Sequence, residues 1–212
     1  MRPRIVLLGA GGHAKVIADI LLESDEMEIA GCVTLGDKGS LVGFPVLGGD
    51  DKLPQLCASG ITRAFPAIGD NARRMTAIDR LSALGFTLVN AISRRASVSP
   101  RASLGSGVAI MPGAVVNVGS TVSDGAIINT GATVDHDCAI GRCAHIAPGC
   151  HLAGKVRVGK GALLGVGVSV IPGLSIGDWT LVGAGAVVIR DLPSQSKAVG
   201  VPALLCDKKV LS

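Results

Sequence analysis

Aromatic side chains are almost missing from this 212-residue chain, which has no tyrosine, one tryptophan and three phenylalanines. Base-stacking platforms for nucleic acid need such rings, and the formal net charge is only +4, so both features argue against a nucleic-acid partner. Charged residues make up only 17% and hydrophobic ones 48%, a balance that excludes a disordered chain. No run approaches the roughly 18 uninterrupted apolar residues of a membrane span. The apolar stretch from Ile5 to Ala10 runs into Gly-Gly-His rather than a cleavage site. A cytoplasmic protein without a membrane partner is expected. In that compartment the six cysteines (Cys32, Cys57, Cys138, Cys143, Cys150 and Cys206) read as buried free thiols rather than disulfides. Without aromatic bulk, the core must be filled by aliphatic side chains.

Those aliphatics are periodic. Ile, Val or Leu stands at every sixth position for 17 consecutive steps, from Ile92 through Ile110, Ile128, Ile146, Leu164 and Val182 to Val188, with no insertion. A second, mostly small set lies two residues before each of them, as in Ala114, Ser120, Ala126, Ala132, Cys138, Ala144 and Cys150. Ala132 and Val134 therefore point the same way from one short strand. An α-helix cannot satisfy this spacing, because six residues rotate it by about 600° and scatter the aliphatics around its circumference. A solenoid of short strands, bent every six residues and stacked at roughly 4.8 Å per coil, does satisfy it. Gly105, Gly141, Gly159, Gly165, Gly177 and Gly183 directly follow the aliphatic. With others at the bends, they are expected where backbone angles resist a side chain.

Residues 1–91 have another texture. Arg4 to Leu8, Ile29 to Thr34, Ala64 to Ile68 and Phe86 to Val89 read as strands, with helical patterns after Gly12 and from Asn71 to Leu84. This alternation predicts a small α/β, Rossmann-like domain with a parallel sheet. Three segments result: 1–91, the solenoid 92–193 and a tail 194–212. Gly9-Ala10-Gly11-Gly12-His13 joins the first strand to the first helix. It is either a tight structural turn or a set of backbone N–H groups presented to an anion such as a diphosphate. It lacks the third glycine of a dinucleotide fingerprint, so no redox cofactor is implied.

His136, His145 and His151 are interleaved with Cys138, Cys143 and Cys150. Hexad register sets Cys138 and Cys150 on different walls, which argues against an intrachain metal site. Asp135-His136-Asp137 is the sharper candidate. A histidine can take a proton near neutral pH, an adjacent carboxylate can orient its ring, and the residue stacked one coil later is Gly154, which leaves room beside it. An inert exposed loop is the bland alternative. Cys138, at an inward position, reads as packing rather than a nucleophile.

The six-residue period resembles the hexapeptide-repeat superfamily, which implies a left-handed parallel β-helix with three hexads per coil. The run Ile128 to Cys138, followed by Ile140 to Gly149 and Leu152-Ala-Gly154, resembles a narrower family. That family is the bacterial nucleotide-sugar acetyltransferases, which include sialic acid O-acetyltransferases and UDP-4-amino-sugar and GDP-perosamine N-acetyltransferases. The Gly9 to His13 turn and Ile68-Gly69-Asp70-Asn71 are similar to that family too. The resemblance implies acetyl-CoA as co-substrate, a nucleotide sugar as acceptor, no metal, and a homotrimer with active sites between subunits. It implies His136 as the base and Asp137 as its partner. His145, Gly154, Val166 and Ala184 fall to the acetyl-CoA channel, and Gly11, Gly12, His13, Asp37 and Gly69 to the nucleotide-sugar site. N-acetylation of a nucleotide-linked 4-amino-4,6-dideoxy sugar is the leading expectation and O-acetylation of a sugar hydroxyl the second. A non-catalytic or metal-binding β-helix protein, including a metal-dependent hydratase, is the third.

Overall fold

The computed structural model describes residues 2–34 and 40–206. It contains two compact units, Met1–Arg94 and Arg95–Ser212.

The first unit is a six-stranded sheet with three helices. Its elements are β1 (Arg4–Leu8), α1 (Gly12–Ser24), β2 (Glu28–Val33), β3 (Ser40–Leu41), β4 (Phe44–Gly48), α2 (Leu53–Ala58), β5 (Arg63–Pro66), α3 (Asn71–Ala83) and β6 (Thr87–Leu88). The apolar run Ile5 to Leu8 is wholly buried, as befits a central parallel strand covered on both faces. Helix α1 turns Ala14, Ile17, Ala18 and Leu21 to the core, and α3 buries Ala77, Ile78 and Leu81. The strand order is β3-β4-β2-β1-β5-β6, parallel except for the β3–β4 hairpin. The chain therefore leaves β1 on one side and returns on the other, creating a switch point between the C-terminal ends of β1 and β5. Sequence patterning located β1, β2, β5, β6, α1 and α3. The β3–β4 hairpin and α2 had no strong periodicity to reveal them.

The second unit is a solenoid of two-residue strands on three walls. Its register is 18 residues as far as Val188, shortening where Ile176 meets Leu192 and Leu181 meets Lys197: Ile127 pairs with His145 and Ile128 with Ile146 on the first wall. Thr133 pairs with His151 and Val134 with Leu152 on the second. Ala139 pairs with Arg157 and Ile140 with Val158 on the third. Each coil donates backbone hydrogen bonds to the next, such as Val115 N–H to the Ala132 carbonyl and Asn117 N–H to the Val134 carbonyl, both 2.9 Å. Both inward sets fill the bore from Val108 to Leu192 as one apolar cluster. Each buried Val, Leu or Ile contributes about 1.5–3 kcal/mol by transfer. The first hexads are less enclosed than the period suggests. Ile92 is 37% exposed, and Val98 and Leu104 are only partly buried, as end coils of a stack are. At the other end Lys197–Val199 adds a parallel strand beside Leu181–Val182 and an antiparallel one with Leu204–Leu205, so the first wall continues into residues 194–206.

The glycines divide into two classes with different causes, and the sequence reading had merged them. Every sixth residue from Gly107 to Gly185 has positive φ. This third corner position is glycine except at Asp137, Cys143, Lys155 and Trp179. The glycines that directly follow the aliphatic have ordinary φ, and there the constraint is closeness of the next coil. A Cβ on Gly141 would lie 2.6 Å from the Gly159 carbonyl carbon.

The two classes predict different mutational costs. Gly167→Ala meets nothing within 4 Å and is expected to lose about 1–2 kcal/mol from its left-handed backbone alone. Gly141→Ala drives a methyl into backbone that cannot rotate away and is expected to lose more, upwards of about 3 kcal/mol. Urea midpoints of the two variants check the order, and equal losses would show that coil spacing relaxes freely.

Candidate active site

The corner 135–138 joins the second and third walls. Asp137 holds φ +58°, which places its carboxylate back against the ring of His136: Nδ1 and Oδ2 are 2.9 Å apart. With Nδ1–H donating to the carboxylate, the lone pair is on Nε2. That atom looks onto Gly154, where an added Cβ would lie 2.5 Å away. Beneath, a Cβ on Gly119 would lie 2.5 Å from Asp137 Oδ1. Histidine and aspartate are thus accommodated by the glycines of neighbouring coils, and both side chains remain about half exposed. The Asp135 carboxylate accepts the Asn117 amide at 2.9 Å and the His136 backbone N–H at 2.7 Å. The Asn117 amide first, and then that N–H, hold the Asp135 carboxyl below the usual range. A groove of about 500 Å³ runs along the second wall beside this corner, with Asn117, Asp135, His151, Ile171 and Pro172 among its lining. His151 Nδ1 shares a hydrogen bond with Thr133 Oγ1 at 3.0 Å.

The remaining solenoid candidates lie elsewhere on the same chain. His145 begins a strand of the first wall. Its Nε2 lies 3.0 Å from Asn129 Nδ2, while Asn129 Oδ1 takes the Thr130 N–H; the asparagine therefore donates and the histidine accepts. Val166 and Ala184 are stacked on the corner between the first and second walls, where Gly185 N–H reaches the Val166 carbonyl at 2.8 Å. Gly154 alone shares a corner with His136. A single chain therefore does not bring His145, Val166 and Ala184 to the His136 corner.

The thiols are packing groups. Burial pushes the Cys138 and Cys150 thiols up, and Cys138 Sγ donates to the Ala153 carbonyl at 3.2 Å. All six cysteines are free, although Cys57 and Cys206 are only partly buried. Among the described residues there is no cluster of three or more His, Cys, Asp and Glu able to hold a metal.

In the first unit, the β1–α1 and β5–α3 turns meet at the switch point. A Cβ on Gly69 would come within 3.9 Å of the His13 Cβ, while Gly11 and Gly12 face open space. Gly11 is the N-cap of α1, with neither a side-chain cap nor an acidic residue in the first turn, so this end carries uncompensated N–H groups. Asp70 caps α3 by accepting the Arg73 N–H at 2.8 Å. Arg74 is fully buried and donates to the Ile68 and Gly69 carbonyls, both at 2.9 Å, holding the second turn. A cleft of about 410 Å³ opens on the α3 side of these strand ends, with Gly9, Thr34, Ile68, Arg73 and Arg80 in its lining. Arg73 and Arg80, seven apart on one helix face, were legible as a basic pair but carried no motif. Asp37 lies outside the described residues.

Burial first, and the nearby Arg74 charge second, lower the His13 pKa from 6.5 to about 4. Its Nε2 is buried without a hydrogen-bond partner among the described residues. Between those two values the unfolded chain binds the proton and the folded chain does not, so stability rises with pH through that window and falls on acidification. Urea midpoints are expected to drop between about pH 7 and about pH 5, and less steeply in His13→Gln. An equally steep drop in the variant would remove His13 as its source.

Comparison with known proteins finds relatives that span both units. Residues 4–81 match the PglD N-terminal domain family. Perosamine N-acetyltransferase from Caulobacter crescentus has been solved with CoA and GDP-perosamine in a variant that carries asparagine in place of a histidine. This chain is 48% identical to it, with 96% of each chain covered and a TM-score of 0.94. The acetyltransferase domain of PglB from Neisseria gonorrhoeae, solved with acetyl coenzyme A, is 37% identical, with 97% of this chain and 100% of that one covered and a TM-score of 0.93. Among curated proteins, an acetyltransferase by provisional assignment from Staphylococcus aureus is 39% identical over 64 residues. The chain spans 32% of that relative's length. Near-complete coverage of the two solved relatives places both units in one lineage, and the chain belongs to the nucleotide-sugar acetyltransferase family.

Proposed function

We propose that the protein moves the acetyl group of acetyl-CoA to the amine of a nucleotide-linked 4-amino-4,6-dideoxy sugar, with His136 as general base. The observation that carries this is the 2.9 Å pairing of His136 Nδ1 with Asp137, which leaves Nε2 as acceptor while the ring packs against Gly154, where any Cβ would strike it. Acetyl-CoA supplies an activated carbonyl and a thiolate leaving group. His136 Nε2 takes the proton from the acceptor nitrogen as the C–N bond forms and the C–S bond breaks. Asp137 holds the ring and stabilises the imidazolium. The thiolate departs without needing a strong acid. The relative crystallised with GDP-perosamine is an N-acetyltransferase, and this favours the amine over a sugar hydroxyl.

In this reading Gly11, Gly12, His13, Gly69 and the acidic Asp37 serve the nucleotide sugar, with uncapped α1 N–H groups suited to a diphosphate. His145, Gly154, Val166 and Ala184 serve acetyl-CoA. Because His145, Val166 and Ala184 lie away from the His136 corner of one solenoid, the reading requires a second copy to complete each site. A left-handed solenoid assembled as a homotrimer, working in the cytoplasm, meets that requirement. Among the described residues no helix is long and apolar enough to cross a membrane.

Three measurements test this reading. With NDP-amino sugars and acetyl-CoA, His136→Asn is expected to lower kcat about 10²- to 10⁴-fold with little change in KM, read as CoA release; undiminished turnover removes His136 as the base. By light scattering the protein should weigh three chains of 21.2 kDa. Mixing inactive His136→Asn with inactive Val166→Trp and reassembling should recover activity, since some interfaces then carry two intact halves. A fully active monomer would overturn the shared site.

A further inference from the structure

Only four polar or charged residues are buried among the described residues: Arg74, Ser93, Ser120 and Thr180. Ser120 has no exposed surface and occupies an inward position of the bore, in a column with Ala102, Cys138, Val156 and Leu174. Its hydroxyl alters one turn. In the corners just before and after it along the chain the fourth residue closes directly onto the first: Ala132 N–H reaches the Asn129 carbonyl at 2.9 Å, and Ala144 N–H reaches Gly141 at 3.0 Å, whereas the stacked corners 153–156 and 171–174 lack that bond. In the 135–138 corner the connection passes through Ser120 instead. Cys138 N–H donates to Ser120 Oγ at 3.1 Å, and the Ser120 hydroxyl donates to the Asp135 carbonyl at 2.6 Å. The two residues held between those relayed groups are His136 and Asp137.

We propose that Ser120 is a positioning residue for the transfer reaction: its hydroxyl, inserted into the 135–138 turn, sets the spread of that turn and hence the direction in which His136 presents Nε2 beside Gly154. The inference rests on His136 being the base. One oxygen replaces a direct amide-to-carbonyl bond with two bonds in series, so the first and fourth residues of this corner are joined through the Ser120 hydroxyl. From outside, Asp135 anchors the same turn through Asn117. One coil on, Cys138 Sγ donates to the Ala153 carbonyl in the corner that contains Gly154. The turn that carries His136 and the Gly154 turn against which its ring packs are thus each bonded to a buried heteroatom of the preceding coil.

Alanine already fills the corresponding inward position at Ala126, Ala132, Ala144 and Ala162, each fully buried, so the bore accepts Ser120→Ala. Without the hydroxyl, Cys138 N–H and the Asp135 carbonyl both lose the partner that holds them, and the turn that carries His136 shifts. Steady-state kinetics of Ser120→Ala are expected to show kcat reduced about ten- to a hundredfold, as for displacements near 1 Å, with the acetyl-CoA KM within about twofold of wild type. Thr180→Ala is the control. It also deletes a buried hydroxyl, one that donates to the Pro193 carbonyl at 2.7 Å, and should lower the urea midpoint comparably while leaving kcat intact. Ser120→Cys, which keeps a donor of the kind Cys138 provides, should recover part of the loss. In a His136→Asn background Ser120→Ala should cause no further drop.

The outcomes separate the two readings. Full kcat in Ser120→Ala beside a crippled His136→Asn overturns the positioning role and leaves the base standing. An active His136→Asn overturns the base itself. A kcat loss in Thr180→Ala equal to that in Ser120→Ala, additivity in the double variant, or a Ser120→Cys no better than alanine each overturns the positioning role.

Discussion

Each residue inside the solenoid lies over the residue eighteen positions before it and under the one eighteen positions after it, and that vertical registry limits which side chains fit. Two neighbours of fixed spacing bracket every position, so size at one coil is permitted by smallness in the next. The bore takes branched aliphatics and alanines because they interlock at that spacing. It has no place for rings, and the protein's phenylalanines belong to the first unit, where Phe65 and Phe86 are buried. The solenoid's one ring, Trp179, is on a corner, and the stacked position below it is Gly161, where a Cβ would strike the indole. His136 over Gly119's coil and under Gly154 obeys the same rule. A bulky side chain on a corner of this scaffold is accommodated by a glycine one coil away.

The corner column of positive φ adds a second constraint. Fourteen consecutive hexads adopt it, and only four fill it with something other than glycine, at about 1–2 kcal/mol each for a side chain in that region. Two of the four, Asp137 and Lys155, follow His136 and Gly154 directly. Lys155 N–H bonds the His136 carbonyl at 2.9 Å, so the strained positions sit on either side of the gap at Nε2. Strain of this kind persists where neighbouring contacts over-determine the backbone. Here the Asp135 cap, the Asn117 amide and the Ser120 relay do so.

Much of this was readable from residue spacing, because the solenoid's register is a repeat and a repeat is a one-dimensional signal. Period and wall assignment follow from the aliphatics, and they placed Gly154 beside His136 correctly. The handedness of the coil has no counterpart in the spacing. Glycine's two uses, left-handed backbone and close approach, look alike in a sequence and differ only once the next coil is in view. Ser120 was counted among the small inward residues, since serine differs little from alanine in size and its hydrogen bonds span the chain from 120 to 135 and 138. In the first unit the α3 capping by Asp70 and the buried Arg74 explain Ile68-Gly69-Asp70-Asn71 structurally, which spacing alone could not separate from ligand binding. The β3–β4 hairpin escaped because its strands are short and partly exposed.

A solenoid with a filled bore has no interior in which to hold a substrate, so its chemistry must be done on the outside. Its corners are convex. A base on a convex corner, half open to water as His136 is, can be oriented by Asp137 but cannot be desolvated by its own chain, and a thioester placed there would be open to solvent. On the proposed reading, enclosure comes from another surface laid along the corner. Of the residues assigned to acetyl-CoA, His145, Val166 and Ala184 stand on a different wall and a different corner from His136, the distribution that the proposed reading, with two complementary edges from separate copies, calls for. The stiffness of the walls is then useful twice, since it fixes the turn that aims Nε2 and the straight edge against which a second straight edge can close.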